Sequence, residues 1–151
     1  MGLSGRRFNG DLLLERLESR LGIAVDAIPN PRLPAGGISG ARITTNGSHV
    51  VFYPARASRY QQLAVICHEC AHLILNHRDR SAVDLLSGID PPSPEDELAA
   101  EALGAALVHL ARRPDRLRRL MPVTRNDGQH AAATTLRSQL RSFYGLPGRA
   151  G

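Results

Sequence analysis

The sequence predicts an α+β domain, with a small antiparallel sheet packed beside a helical core. Three observations carry that prediction. Apolar residues recur at helical spacing in segments that have capping residues at their ends. One pair of short strand-like runs flanks Asn46-Gly47, a strong signal for a tight hairpin. Aromatic residues make up only 4% and Trp is absent, so the core must be built from Leu, Ile, Val and Ala, which suits closely packed helices. At 151 residues the chain fits one folded unit, 1–151.

The first helix is expected over residues 11–21, with Leu13, Leu14, Leu17 and Leu21 on one side and Gly22 as its stop. Pro29, Pro31, Pro34, Gly36, Gly37 and Gly40 then predict an irregular connection over 29–40, because proline removes donors and glycine relaxes the backbone. Residues 41–45 and 49–53 are the expected hairpin strands. Ser58-Arg59-Tyr60-Gln61 has the form of a capping box and opens a helix expected over 59–77. Ser93-Pro94-Glu95-Asp96 opens another, expected to reach residue 110, with Ser as cap and acids at the positive end of the dipole. A short helix is expected over 114–120. A last one starts at Asn126 or Asp127 and ends near Tyr144, before Gly145 and Pro147.

Composition narrows the functional classes. Apolar residues at 42% and charged residues at 22% exclude a disordered chain. No run approaches the roughly 18 apolar residues of a membrane span, and the start lacks a signal-peptide core, so a cytoplasmic protein without membrane contact is expected. The net charge of +5 favours acidic partners, while the cluster Arg112, Arg113, Arg116, Arg118 and Arg119 is read in preference as a solvated helix face.

The chemistry concentrates at His68-Glu69-Cys70-Ala71-His72, an HExxH motif. Residues four apart on a helix share a face, so two imidazoles converge on one metal ion. Glu69, a quarter-turn away, can take a proton from an attacking water and pass it to a leaving amine without being a ligand. A helical projection places Leu63, Ile66, Cys67, Cys70, Leu73 and Ile74 on the opposite side. Cys67 and Cys70 spell CxxC, but on that apolar face they are expected to fill the core.

A catalytic zinc ion normally takes three protein ligands. The extended HExxHxxGxxH motif is excluded by Leu75 and Arg78. His77 projects about 140° from His72 on a continuous helix, so it is assigned to the helix C-terminus, complementing the dipole. The better source is the helix opened at Ser93, where Glu97 and Glu101 lie four apart on one face and the small Gly104 and Ala105 allow close helix packing. The electrophile that steadies an oxyanion could come from His49, His109, His130, Tyr53, Tyr60 or an arginine.

The run from Leu63 to Leu75, followed by Glu101-Ala102 with Ala105 and Ala106, resembles the ImmA/IrrE-like zinc peptidases, over about residues 41–110. The resemblance implies a zincin-like arrangement with HExxH on a central helix and Glu101, in preference to Glu97, as third ligand. It implies cleavage of a helix-turn-helix transcriptional repressor. The expected cofactor is zinc, which manganese or another divalent ion could replace, because ligand type sets a preference and not an identity. Ala71 stands where members often have Gly, and no second helix precedes the sheet to form a DNA-binding unit, so direct sequence-specific nucleic-acid binding is not expected. Two competing readings are a DNA-associated metalloprotease, resting on the arginine cluster, and a non-catalytic zinc-containing module that binds a partner, as toxin–antitoxin accessories do.

Overall fold

The computed structural model describes residues 9–22, 24–35, 40–45, 48–77, 93–122 and 142. The expected last helix and the Asn46-Gly47 turn lie outside the described residues. Within them the order is α1 (Asn9–Leu21), β1 (Ala24–Asn30), β2 (Ala41–Thr45), β3 (Ser48–Pro54), α2 (Arg59–Ile74), α3 (Pro94–Ala111) and α4 (Pro114–Leu120).

The chain is α+β as expected, but its sheet is mixed. Strand β3 lies in the middle, antiparallel to β2 and parallel to β1, with Thr45 opposite Ser48 and Ala24 also opposite Ser48 on the other side. Strand β1 was missed because Pro29 marked the start of an irregular stretch. An edge strand tolerates proline, since one side of its backbone needs no ladder partner, and Pro29 stands opposite Tyr53 in that edge. The carboxylate of Glu18 accepts from the Val25 N–H at 3.2 Å and ties the end of α1 to the start of β1. Gly22 stops α1 with a positive φ of 71°, its N–H donating to the Glu18 carbonyl.

Alternation along the strands divides the apolar residues between two layers. Val25, Ala27 and Val51 face the helices and join Leu13, Leu14 and Leu17 of α1, Leu63, Ile66, Cys67 and Cys70 of α2, Ala100 and Leu107 of α3 and Leu117 of α4. Ile28, Val50 and Phe52 form a smaller cluster on the other face, with Leu33, Ala41 and Ile43. Both cysteines are free and buried. Burial pushes the Cys67 thiol up to about 12 and raises Cys70 as well, so both are inert core filling.

Candidate metal centre

Helix α2 begins where its capping residues require, with the Ser58 hydroxyl accepting from the Gln61 N–H at 3.2 Å. It ends earlier than the expected 77. Leu75 is the last capping residue and Asn76 takes a left-handed φ of 55°. The Asn76 N–H donates to the Leu73 carbonyl and the His77 N–H to the His72 carbonyl, the paired bonds of a Schellman ending. This ending folds the chain back, so the continuous-helix projection does not apply to His77. Its ring comes to His72 instead, Nδ1 to Nδ1 at 2.8 Å. The signal was present in the sequence, because asparagine is the residue that most often replaces glycine in this position.

The two motif histidines do share a face. Their Nε2 atoms are 3.2 Å apart. Helix α3, capped by Ser93 through the Asp96 N–H, runs alongside and adds a carboxylate: Glu97 Oε2 is 3.2 Å from His68 Nε2, and Oε1 is 3.3 Å from His72 Nε2. Two donors bonded at about 2.0–2.1 Å to one tetrahedral ion stand about 3.3 Å apart. The two imidazole nitrogens thus stand at the spacing of two ligands on one ion, each faced by one oxygen of the Glu97 carboxylate, and His68, His72 and Glu97 could hold a metal ion. The donor set, two imidazoles and one carboxylate, suits zinc chemistry.

The structure brings Glu97, rather than Glu101, to the histidines. The reason lies in how α3 meets α2. A Cβ on Gly104 would stand 3.1 Å from His68 Cα, so this glycine marks the line of closest approach between the helices. Glu97, seven residues earlier, lies about 20° round the helix from that line, while Glu101 lies about 60° from it. Glu101 is exposed and lines a cleft of about 520 Å³ between the two helices, which starts at His68 and passes Ala64 and Val108 to His109 and Arg112. Its rim carries Tyr60, with the Arg112 guanidinium 5.7 Å from the ring centre. Among the candidate electrophiles, Tyr60 and His109 line this cleft and His130 lies outside the described residues.

Glu69 is buried beside the histidines and outside the converging group of three donors. Arg42, from β2, donates to its Oε2 at 2.9 Å in an ion pair shielded from water. Burial raises the Glu69 carboxyl above its ordinary value, with Arg42 and then His68 pulling it back. The Arg42 contribution was missed, although strand alternation sets Arg42 opposite in face to Ala41 and Ile43 and so toward the helices; an arginine on an interior face needs a buried partner. His72 is lowered to about 4, chiefly by burial and then by Arg42, so its ring is neutral near neutral pH. His68 Nδ1 is buried without a hydrogen-bond partner among the described residues.

Among the described residues, no helix is long and apolar enough to cross a membrane. The family model described as Peptidase M78, the IrrE N-terminal-like domain, matches residues 19–114. No curated protein and no solved structure matches the chain.

Proposed function

The chain belongs to the Peptidase M78 family, whose function is of the metallopeptidase type, and from that premise we infer that it is a zinc-dependent endopeptidase with Glu69 as general base and His68, His72 and Glu97 as metal ligands. The observation that carries this reading is the convergence of the His68 and His72 Nε2 atoms, 3.2 Å apart, on the Glu97 carboxylate, whose two oxygens lie 3.2 and 3.3 Å from them, with the Glu69 carboxylate outside that group. When bound, zinc supplies Lewis acidity, polarising a scissile carbonyl and lowering the pKa of water. Arg42 occupies Glu69 Oε2 and holds the carboxylate in place, which assigns Oε1 to accept the water proton and deliver it to the departing amine. The cleft that starts at His68 is the place for a peptide chain, with Tyr60 and His109 on its walls. A purely structural zinc site usually closes with four ligands and has no use for a general base; here, among the described residues, three donor residues converge and Glu69 stays outside them.

The substrate class we assign is a helix-turn-helix transcriptional repressor, supported by the family resemblance. The test is elemental analysis of protein purified without added metal, together with cleavage of repressors encoded beside it. Wild type should carry one equivalent of zinc. Glu97→Ala should lose it, while Glu101→Ala and Glu69→Gln keep it. Glu69→Gln should also lose cleavage by roughly 10²–10⁴-fold. Zinc lost in Glu101→Ala but kept in Glu97→Ala would return the third-ligand role to Glu101. Absence of zinc from wild type, even after zinc is supplied, would remove the peptidase reading.

A further inference from the structure

His77 follows α2 and makes two bonds to His72: its backbone N–H donates to the His72 carbonyl at 2.9 Å, and its ring Nδ1 lies 2.8 Å from His72 Nδ1. Its other ring nitrogen, Nε2, is 3.4 Å from Asp96 Oδ1, on the first turn of α3 and directly before Glu97. These contacts select a proton arrangement. Two ring nitrogens 2.8 Å apart share one proton, so one donates and the other accepts. If a neutral His77 donated through Nδ1, its Nε2 would turn a lone pair toward the Asp96 carboxylate. With a metal ion at His72 Nε2, the atom that meets His68 and Glu97, His72 Nδ1–H is the donor, His77 Nδ1 is the acceptor and His77 Nε2–H faces Asp96; without the ion the Glu97 carboxylate, 3.3 Å from His72 Nε2, competes for that proton.

We propose that His77, backed by Asp96, is a positioning residue that fixes the tautomer and ring plane of His72 so that its Nε2 is ready to bind the metal ion. The arrangement His72–His77–Asp96 does for this ligand what a carboxylate or carbonyl does behind most metal-bound histidines. It also ties the C-terminal end of α2 to the N-terminal end of α3, so that Glu97 is delivered beside the ring that its neighbour Asp96 helps to orient. His68 has no such support among the described residues. The inference rests on the metal centre proposed above.

The test compares wild type with His77→Ala, His77→Asn and Asp96→Ala in the full chain. Zinc affinity is measured by competition with a chromogenic chelator, the cobalt-substituted proteins by their visible absorption, the zinc-loaded proteins by nitrogen-15 NMR of the histidine rings, and the metal-free proteins by melting temperature. His77→Ala should bind zinc about 10–100-fold more weakly and alter the cobalt bands. His77→Asn, whose Oδ1 occupies the place of Nδ1, should restore most of the affinity, and Asp96→Ala should lose less than His77→Ala. In the zinc-loaded wild type the His72 Nδ1–H should be protected from solvent exchange, and His77→Ala should lose that protection.

Unchanged affinity in His77→Ala overturns the inference while leaving the metal centre intact. So does an unprotected His72 Nδ1–H in the zinc-loaded wild type, or a loss of affinity that simply follows melting temperature in all three variants without rescue by asparagine. A wild type that takes up no zinc overturns the metal centre itself, and the role assigned to His77 with it.

Discussion

Helix α2 is held differently on its two sides. Toward the sheet it meets Arg42, whose guanidinium and the Glu69 carboxylate are only 6% and 10% exposed, and Gly40, where a Cβ would stand 2.7 Å from Val65 Cγ1 and 3.0 Å from Glu69 Cγ. Toward α3 it meets Gly104 at the backbone of His68, and Glu97, whose side chain is 43% exposed. The sheet side is dry and fixes the Glu69 carboxylate through a charged contact. The α3 side is wetter and presents a carboxylate beside an open cleft. The difference teaches that the Glu69 carboxylate is immobilised by the core, while the carboxylate that meets the two imidazoles is set by how two helices pack.

The largest expected effect lies on the sheet side. Arg42→Ala would leave the Glu69 charge buried without its partner, and at neutral pH should cost about 3–5 kcal/mol, measured by urea unfolding. Because burial already raises the Glu69 pKa, the folded variant takes up a proton as pH falls, and its deficit relative to wild type should narrow in acid. A deficit that keeps the same size as pH is lowered from neutral would mean that the charge is not what Arg42 supports.

The two glycines sharpen the comparison. Gly40→Ala should destabilise by about 1–3 kcal/mol, because Val65 and the Phe52 carbonyl at 3.1 Å leave no room for a methyl group. Gly104→Ala meets backbone at 3.1 and 3.3 Å and should cost less stability, yet it pushes α3 and Glu97 away from His68 and should therefore weaken zinc binding more than Gly40→Ala does. The opposite ranking in zinc titrations would break the division of labour between the two sides.

The smallest expected effect concerns His72, which lies between them. Its pKa falls from 6.5 to about 4 in the folded chain, so the unfolded chain binds the proton more readily across that window. The contribution of His72 to stability of the metal-free protein is fully present above about pH 6.5 and is lost as pH falls toward about 4. Thermal melts at closely spaced pH should show this slope, and His72→Gln should reduce it.

The parts of this molecule governed by neighbours in the chain were legible from residue order. Ser58 and Ser93 cap the helices they were expected to open, the His68–His72 spacing puts two rings on one face, and Leu63, Ile66, Cys67 and Cys70 face the core. The early end of α2 was also written locally, in Asn76, but an uninterrupted projection passed over it. Strand β1 was hidden by Pro29, since edge position depends on the order of strands in the sheet.

By itself, then, the sequence determined the helices found among the described residues, the hairpin strands, the motif and its two imidazoles, because repeat and capping act over a few residues. Only the tertiary structure decided that Glu97 rather than Glu101 meets those imidazoles, that Arg42 is the partner of Glu69, and that Asp96 stands behind His77. Each of these depends on the rotation of one element against another. That rotation follows from which surfaces approach most closely, and here it is set where Gly104 lets α3 rest against the backbone of His68.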